Sequence, residues 1–338
     1  MREFFSTEIP QLLILNMDGY NAVECLSVVD STGWNGPVLS SVVFDGLPVG
    51  QHYLDAQRRC AAVLTSSGVA AHYLRTNGVD VVGVAPPGVD LAEFRPLQAR
   101  ANVRARLAID DAVVVGTFGT NTERKQIARV VAALPMINDG LGGRRVLLYL
   151  HCSPTGYWRL RDLAKDLGVG DQVIFPNRFT FDERRGVPTS GNTYSSSIGA
   201  AGEWPADLSY VDRINCCDIV VNSPHSGDIE QIILEAQACG VPLVHTDDQG
   251  VMAEAVGTAG ILLPARDVGF SATGGQMHHV APEAIAEAVV LLARSAALRE
   301  ELRTAGLANA ARYTWTALEV GIRAAVDYCL RDQNAVRR

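Results

Sequence analysis

Short apolar runs alternate with helical patterns along the chain, and they fall into two groups. The first group comprises Leu12–Leu15, Val38–Phe44, Ala61–Thr65 and Val81–Ala85. The second comprises Val113–Phe118, Val146–Leu150, Val173–Phe175, Ile219–Val221, Leu243–Thr246 and Ile261–Leu263. Strand-like runs that alternate with helices are typical of parallel α/β layers. We therefore predict two α/β units, each built around a parallel sheet.

Four predicted helices belong to the second unit and the chain that follows it. The first follows Asn121 or Thr122 as its cap, because apolar residues recur at helical spacing after them. The second starts where Asp228 and Gln231 resemble a capping box, and Gly240 ends it. The helical patterns cover Ile127–Leu134, about Ile229–Cys239, Pro282 to about Ser295, and about Trp315–Leu330.

Two segments have a turn-rich composition. Residues 86–96 combine Pro86, Pro87 and Gly88 with Pro96, which suits a stiff connection between domains. Thr180–Asp207 is rich in Gly, Ser, Thr and Pro and is too long for a routine α/β connection. A functional lid or binding loop and a merely flexible segment are equally good predictions for it.

Composition and charge narrow the class of protein. Hydrophobic residues make up 48% of the chain and charged residues 20%, the balance of a soluble globular protein. A net charge of −8 argues against a general grip on nucleic acid, although it leaves room for a local basic groove. No apolar run is long enough to span a membrane, and the start does not resemble a secretory signal. Seven cysteines without a C-x-x-C pair indicate reduced thiols, so we expect a cytoplasmic protein.

Two strand-to-helix turns carry the candidate chemistry. After Val113–Phe118, a glycine turn is followed by Arg124 and Lys125 at the start of a helix, where cations favour an anion in front of them. After Ile219–Val221, another polar turn leads into a helix on which Asp228, Gln231 and Glu235 share one face. A carboxylate there is suited to the vicinal hydroxyls of a ribose. Alone, each feature is more often an ordinary solvated helix surface.

Taken together and in order, these motifs resemble the family-4 retaining glycosyltransferases, which have the GT-B fold. The matching segments are 87–90 with 94–96 (the interdomain connection), Gly119 with Lys125 (the phosphate turn), 208–221, 235–242 (a Glu-Ala-x-Ala-x-Gly-x-Pro signature) and 313–315 (an aromatic motif). The resemblance covers roughly residues 35–330. It implies two Rossmann-like parallel-sheet domains, a reduced first one over 1–105 and a nucleotide-sugar-binding one over 106–308. Helices over 309–338 are then expected to cross back to the first domain.

The resemblance also implies residue roles. In the family, the lysine of the phosphate turn neutralises the donor diphosphate, and the second Glu of a Glu-x7-Glu pair binds the ribose. The implied donor-binding residues are Gly119, Thr120, Arg124, Lys125, Phe175, Asn177, Arg178, Gly227, Ile229, Gln231 and Glu235. The implied reaction is retaining transfer from a UDP- or GDP-sugar, with no metal and no other cofactor. Asp247 and Asp248 are predicted to cap a turn instead of binding a metal.

The chain departs from the family pattern at two donor positions. Counting back eight residues from Glu235 leads to Gly227 instead of Glu. Asp228 and Glu230 are candidates to take over the contact with the transferred sugar, and a helix cap is an equally plausible role for Asp228. Thr120 stands where the family has Arg, and Arg124 is a candidate replacement.

The first domain is shorter than the family's. Gln11–Asp18 resembles a strand from the middle of that domain, so its opening βαβ units and glycine turn are expected to be missing. Asp45 falls about where the family often places a His beside the reacting sugar, which makes it a candidate catalytic residue or a turn cap. His52 is a weaker candidate.

Two functions of different classes remain from the sequence. One is an active transferase for a nucleotide sugar and an unknown acceptor. The other is a degenerate nucleotide-sugar-binding or regulatory subunit, whose first domain is completed by a second copy or a partner chain, because a truncated sheet exposes an edge.

Overall fold

The computed structural model describes residues 10–176, 180–182, 187–189, 203–205, 207–271 and 274–336. The strands are β1 (Leu13–Asp18), β2 (Val38–Val43), β3 (Ala62–Thr65), β4 (Val81–Val84), β5 (Val113–Phe118), β6 (Val146–His151), β7 (Val173–Pro176), β8 (Thr180–Asp182), β9 (Val187–Thr189), β10 (Glu203–Trp204), β11 (Ile219–Asn222), β12 (Leu243–Thr246), β13 (Gly260–Leu263), β14 (Asp267–Phe270) and β15 (Gln276–His279).

The helices are α1 (Gly19–Asp30), α2 (Gln51–Arg58), α3 (Gly68–Thr76), α4 (Arg100–Arg106), α5 (Ile127–Leu141), α6 (Leu160–Asp166), α7 (Tyr210–Cys216), α8 (Gln231–Ala238), α9 (Val251–Val256), α10 (Pro282–Arg294), α11 (Ala296–Ala310) and α12 (Trp315–Val336). Short 3-10 turns cover Glu123–Lys125 and Gly170–Gln172. Among the helices described, none has both the length and the apolar composition needed to cross a bilayer.

The strands form two parallel sheets, as the alternating pattern predicts. The first has the order β1-β2-β3-β4, and the second has the order β10-β7-β6-β5-β11-β12-β13. All ten predicted strands are present. Two antiparallel hairpins, β8-β9 and β14-β15, were missed, and so was the short edge strand β10. Most of the predicted loop Thr180–Asp207 lies outside the described residues.

Helices cover both faces of the second sheet. Along β5, Val113 and Val115 pack into one apolar cluster, while Val114 and Phe118 pack into the cluster on the opposite face. A strand buried on both faces is apolar at nearly every position, which explains why these runs are continuous in the sequence.

The order of the second sheet places the candidate site. Along the chain, β6 and β7 are added on one side of β5, and β11 to β13 are added on the other. A crevice therefore opens between the carboxyl ends of β5 and β11, the position at which open α/β sheets bind ligands. The two turns singled out in the sequence follow these two strands.

The closing helix packs on the first sheet. Ala325 and Cys329 of α12 share an apolar cluster with Leu39 of β2 and Leu64 of β3. At its start, the Val89 amide donates to the Tyr313 carbonyl (2.9 Å). A Cβ on Gly88 would lie only 2.4 Å from the Trp315 nitrogen, so this close packing requires glycine. The exact domain boundaries stay a prediction.

Both predicted helix caps beside the site are wrong, although the helical pattern from Ile127 is confirmed. The α5 helix begins at Ile127, after the 3-10 turn. Asn121 does not cap it, because its side chain instead holds the Ser153 and Trp158 carbonyls of the loop after β6. The α8 helix begins at Gln231 instead of Ile229, and the predicted capping box does not form.

Candidate functional site

The carboxyl ends of β5 and β11 are joined by one side chain. Asn222 accepts a hydrogen bond from the Phe118 amide (3.1 Å) and donates one to the Phe118 carbonyl (2.7 Å). The ladder between these strands pairs only Val115 and Gly116 with Ile219 and Val220, so Asn222 satisfies the backbone where the strands separate. Asn222 therefore lies at the bottom of the crevice and joins its two strands. The sequence did not indicate this role.

Lys125 crosses the glycine turn after β5. A Cβ on Gly119, whose φ is +150°, would lie 3.4 Å from the Lys125 side chain, so the turn leaves room for the aliphatic stem. The Lys125 side chain is only 14% exposed. Thr120 is exposed beside it. The phosphate turn predicted at Gly119 thus carries a largely buried ammonium group.

Glu230 binds the cations of this turn. Its carboxylate pairs with the Lys125 ammonium, and the same oxygen lies 3.1 Å from Nη1 of Arg124. Its other oxygen lies 3.5 Å from the Asn222 side-chain nitrogen and 3.8 Å from Nε2 of His245. Burial opposes ionisation, but Lys125, His245 and Arg124 outweigh it and hold the pKa of Glu230 below its ordinary value.

Arg124 connects three parts of the site. Besides Glu230, its guanidinium donates to the Ser226 carbonyl (2.8 Å) and lies 3.7 Å from the Asp45 carboxylate of the first sheet's unit. A Cβ on Gly227 would lie 2.7 Å from Nη1 of Arg124. A larger residue at 227 would therefore require the Arg124 guanidinium to shift from this position.

The other candidate acids lie beside this network. Asp228 is partly buried, and it accepts a hydrogen bond from the Ile229 amide (2.6 Å) instead of capping α8. Burial raises the pKa of Asp228. Asp45 keeps 63% of its side chain exposed and lines a cavity of about 200 Å³ together with Asp18 and Tyr53. His52 is exposed on α2, where its ring contacts the ring of Tyr53.

Glu235 lies farther along α8 in a different environment. It is only 8% exposed, and its carboxylate accepts a hydrogen bond from the Tyr210 hydroxyl (2.9 Å). Burial raises the pKa of Glu235 to about 7, with the Tyr210 hydrogen bond opposing the rise. Gln231 donates to the Gly88 carbonyl (2.6 Å) and so ties the start of α8 to the interdomain connection. Tyr210 is a contact that sequence reasoning missed.

Aromatic rings line the ends of β5 and β6. Phe118 stacks on His151 at a centroid distance of 5.5 Å, and Tyr210 meets both rings edge-on. Burial and the nearby Arg213 lower the pKa of His151 to about 3, so this ring is neutral. Phe175 is buried at the end of β7, and the Arg161 guanidinium lies 4.6 Å from its ring centroid. Because the ring is covered, the backbone of Phe175 is the part of this residue that is available to a nucleotide base.

The structure thus divides the predicted site residues into two sets. Asp45, Arg124, Lys125 and Glu230 form one ion-pair network, while Glu235 lies with Tyr210. Asn177 and Arg178 lie outside the described residues. Asp247 and Asp248 accept hydrogen bonds from amides that follow them, including those of Gln249, Gly250 and Ala253, so their predicted role as turn caps is confirmed.

Comparison with known proteins places this geometry in context. No protein-family profile matches the chain. A D-inositol 3-phosphate glycosyltransferase from Stackebrandtia nassauensis is 31% identical over 248 residues, 70% of this chain and 46% of the relative. A protein of the same name from Segniliparus rotundus is 29% identical over 83% of this chain and 54% of its own length. The chain therefore spans about half the length of the curated relatives it matches.

Solved structures show the same architecture. Alpha,alpha-trehalose 6-phosphate synthase from Burkholderia multivorans superposes with a TM-score of 0.69 at 14% identity, over 100% of this chain and 75% of the other. Anabaena HepE in complex with UDP-glucose superposes with a TM-score of 0.64 at 17% identity, over 94% of this chain and 78% of the other. The sequence relatives confirm the predicted resemblance to the family-4-like glycosyltransferases. The solved structures confirm the GT-B fold of two Rossmann-like parallel-sheet units.

Proposed function

We propose that the chain transfers a sugar from a nucleoside-diphosphate sugar to an acceptor, with retention at the anomeric carbon and without a metal ion. The observation that carries this proposal is the pair of cations at the crevice between β5 and β11, where Arg124 and Lys125 lie beside the first turn of α8. The names of the sequence relatives and the UDP-glucose held by a structural neighbour support the same reading.

The chemistry requires stabilisation of the leaving diphosphate. As the bond between the anomeric carbon and the diphosphate oxygen breaks, negative charge grows on the phosphates. The acceptor hydroxyl oxygen forms the new bond at that carbon, and its proton passes to the departing diphosphate. Preorganised cations and the amino end of a helix stabilise such charge when water is excluded. Lys125 is suited to this role because its stem is fixed across the Gly119 turn.

The remaining parts of a donor are assigned by position. We assign the ribose hydroxyls to Glu235, whose carboxylate accepts a hydrogen bond from Tyr210. The base is placed at the ends of β6 and β7, beside His151 and the backbone at Phe175. UDP- and GDP-sugars both remain candidates. The acceptor is placed in the cavity of about 200 Å³ beside Asp45, which faces Arg124 across the crevice.

A binding or regulatory role is the second candidate, and one observation favours it. Glu230 already pairs with both cations that a diphosphate needs. A chain that binds nucleotide sugars without turning them over would be a degenerate subunit. Hydrolysis of UDP-glucose and GDP-mannose in the absence of acceptor separates the two candidates, since only an active transferase releases free sugar.

The donor site is tested by thermal shift with UDP, GDP, UDP-glucose and GDP-mannose. A ligand at about a hundredfold excess over its Kd stabilises the folded state by about 2.7 kcal/mol, which is readily visible as a rise in Tm. We expect Lys125→Met and Glu235→Gln to reduce the shift.

The matched control is Lys165→Met, because Lys165 is the second of only two lysines in the chain and is exposed on α6. It should respond like the unmodified protein. No shift with any of the four ligands, or an equal shift in all variants, would contradict the assignment.

A further inference from the structure

The two cations assigned to the donor diphosphate already have a counter-ion of their own. Glu230 pairs through one carboxylate oxygen with both Lys125 and Arg124, and its side chain is only 5% exposed. The ion pairs join residues that are about a hundred positions apart in the sequence, at 105 for Lys125 and 106 for Arg124. They are therefore a product of the fold and not of local helix chemistry.

Glu230 is held where an anion is favoured for several reasons at once. It is the N-cap residue of α8, so it lies at the positive end of that helix. The Asn222 amide nitrogen at 3.5 Å and the His245 ring nitrogen at 3.8 Å face its second oxygen. These are the same attractions that a donor phosphate would exploit. In this structure, Glu230 occupies that position.

Within this ion-pair network, the formal charges cancel. Arg124 and Lys125 contribute two positive charges, and Glu230 and Asp45 contribute two negative ones. Asp45 is mostly exposed, so its effect is screened by solvent, whereas Glu230 is buried and acts on a ligand with little screening. A phosphate that approaches Lys125 therefore meets the field of a fixed carboxylate.

We propose that Glu230 is a specificity-determining residue of the donor site, an internal anion that weakens the binding of phosphate ligands in proportion to their negative charge. This inference rests on the proposed function. A nucleoside diphosphate carries about three negative charges at pH 8, because its terminal phosphate has a second pKa near 6, whereas a nucleoside-diphosphate sugar carries two. Glu230 thus disfavours the released nucleoside diphosphate more strongly than the intact donor and promotes product release.

Steric obstruction is the competing explanation, and it makes a different prediction. A side chain that merely blocks the diphosphate would weaken donor and product by the same factor, because both carry the same two phosphates. A charge acts in proportion to ligand charge, so the ratio of the two affinities changes when the charge is removed.

The experiment is calorimetric titration at pH 8 and low salt with UDP, UDP-glucose, GDP, GDP-mannose and inorganic pyrophosphate. We expect Glu230→Gln to bind the sugar nucleotide roughly tenfold more tightly, and its nucleoside diphosphate to gain by a larger factor. Pyrophosphate should also bind more tightly to the variant. The matched control is Glu123→Gln, which removes a carboxylate from the same 3-10 turn whose partner is His225, and it should leave the affinities nearly unchanged.

A second pair of variants tests the same charge without an unpaired ammonium, because Glu230→Gln leaves Lys125 buried beside Arg124. Lys125→Met and the double variant Lys125→Met with Glu230→Gln leave no such unpaired ammonium. The double variant should favour nucleoside diphosphate over sugar nucleotide more than Lys125→Met alone does.

Each outcome has a defined meaning. Equal gains for both nucleotides, or no gain in a folded Glu230→Gln variant that binds them, would overturn the inference while the proposed function stands. Tighter pyrophosphate binding without any nucleotide binding would support the internal anion and remove the proposed function. If no variant binds any of the five ligands, both fail.

Discussion

The amino end of α8 and its middle carry two buried carboxylates in opposite environments. Glu230 is 7% exposed and Glu235 is 8% exposed, so burial is the same for both. Glu230 faces Lys125 and Arg124, and its pKa lies below its ordinary value. Glu235 faces the neutral Tyr210 hydroxyl, and burial raises its pKa to about 7.

This difference shows that the partner, and not burial, decides the charge of an acid in this crevice. Removing a carboxylate from water favours its neutral form, and fixed cations within hydrogen-bonding distance reverse that preference. The Glu230 carboxylate at the phosphate end of the site is thus ionised at neutral pH. The ribose end titrates near neutral pH. The phosphate end and the ribose end of the donor site are therefore expected to respond differently to mutation and to pH.

The largest effect is expected from breaking the pair at the amino end of α8. Lys125→Met leaves Glu230 buried with fewer counter-charges, which should lower the free energy of unfolding by about 3–5 kcal/mol. Urea denaturation monitored by circular dichroism measures this loss. The double variant with Glu230→Gln should recover most of it, because the buried charge is removed as well. Additive losses in the double-mutant cycle would show that the two residues do not interact.

A smaller effect is expected from Glu235, with the opposite sign. Its folded pKa of about 7 exceeds the ordinary value of 4.5, so the folded state binds the proton more tightly than the unfolded state. The contribution of Glu235 to the free energy of unfolding is then highest below about pH 4.5. It is lost as the pH rises to about 7, by about 3 kcal/mol for a shift of this size. Glu235→Gln should remove this slope and be more stable than the unmodified protein at pH 8. The free energy of unfolding is measured by urea denaturation at pH 5 and pH 8. The same change between these pH values in the unmodified protein and in Glu235→Gln would contradict the assignment.

The smallest effect is expected at the hydroxyl beside Glu235. Tyr210→Phe removes the hydrogen bond that favours the ionised carboxylate, so the pKa of Glu235 should rise further and stability at pH 8 should fall by about 1 kcal/mol. Nucleotide binding, measured by calorimetry between pH 6 and 8.5, should need a higher pH in this variant, because ribose hydroxyls donate best to a carboxylate. Tyr157→Phe, an exposed tyrosine, is the control. An unchanged pH profile would show that Glu235 does not contact the ribose.

The strands and their grouping were predictable because their signal is local. A strand buried on both faces needs apolar side chains at successive positions, so Val113–Phe118 and Leu243–Thr246 are readable without knowledge of their neighbours. The crevice between β5 and β11 was also predictable, since the two polar turns follow directly from those strands. That this crevice binds the donor stays a prediction. The resemblance added Lys125 and Glu235 as candidates, and their roles stay predictions.

The helix caps were not predictable, because distant contacts overrule local capping there. Asp228 and Gln231 have the spacing of a capping box, but α8 starts later, with Glu230 as its N-cap residue. The Glu230 carboxylate binds cations more than a hundred residues away. Asn121 was expected to cap a helix, and its side chain instead secures the loop after β6.

The sequence by itself determined the α/β class, the two sheets and the two turns that form the crevice, because each depends on the spacing of apolar residues and on nearby turn residues. Only the tertiary structure decided which charges meet in that crevice. From the sequence alone, Lys125 and Arg124 are expected to be solvated surface cations, and Glu235 is expected to be a solvated carboxylate. Folding pairs the cations with Glu230 and buries Glu235 against Tyr210. Electrostatic energies depend on distance and on exclusion of water, and neither is written in local sequence.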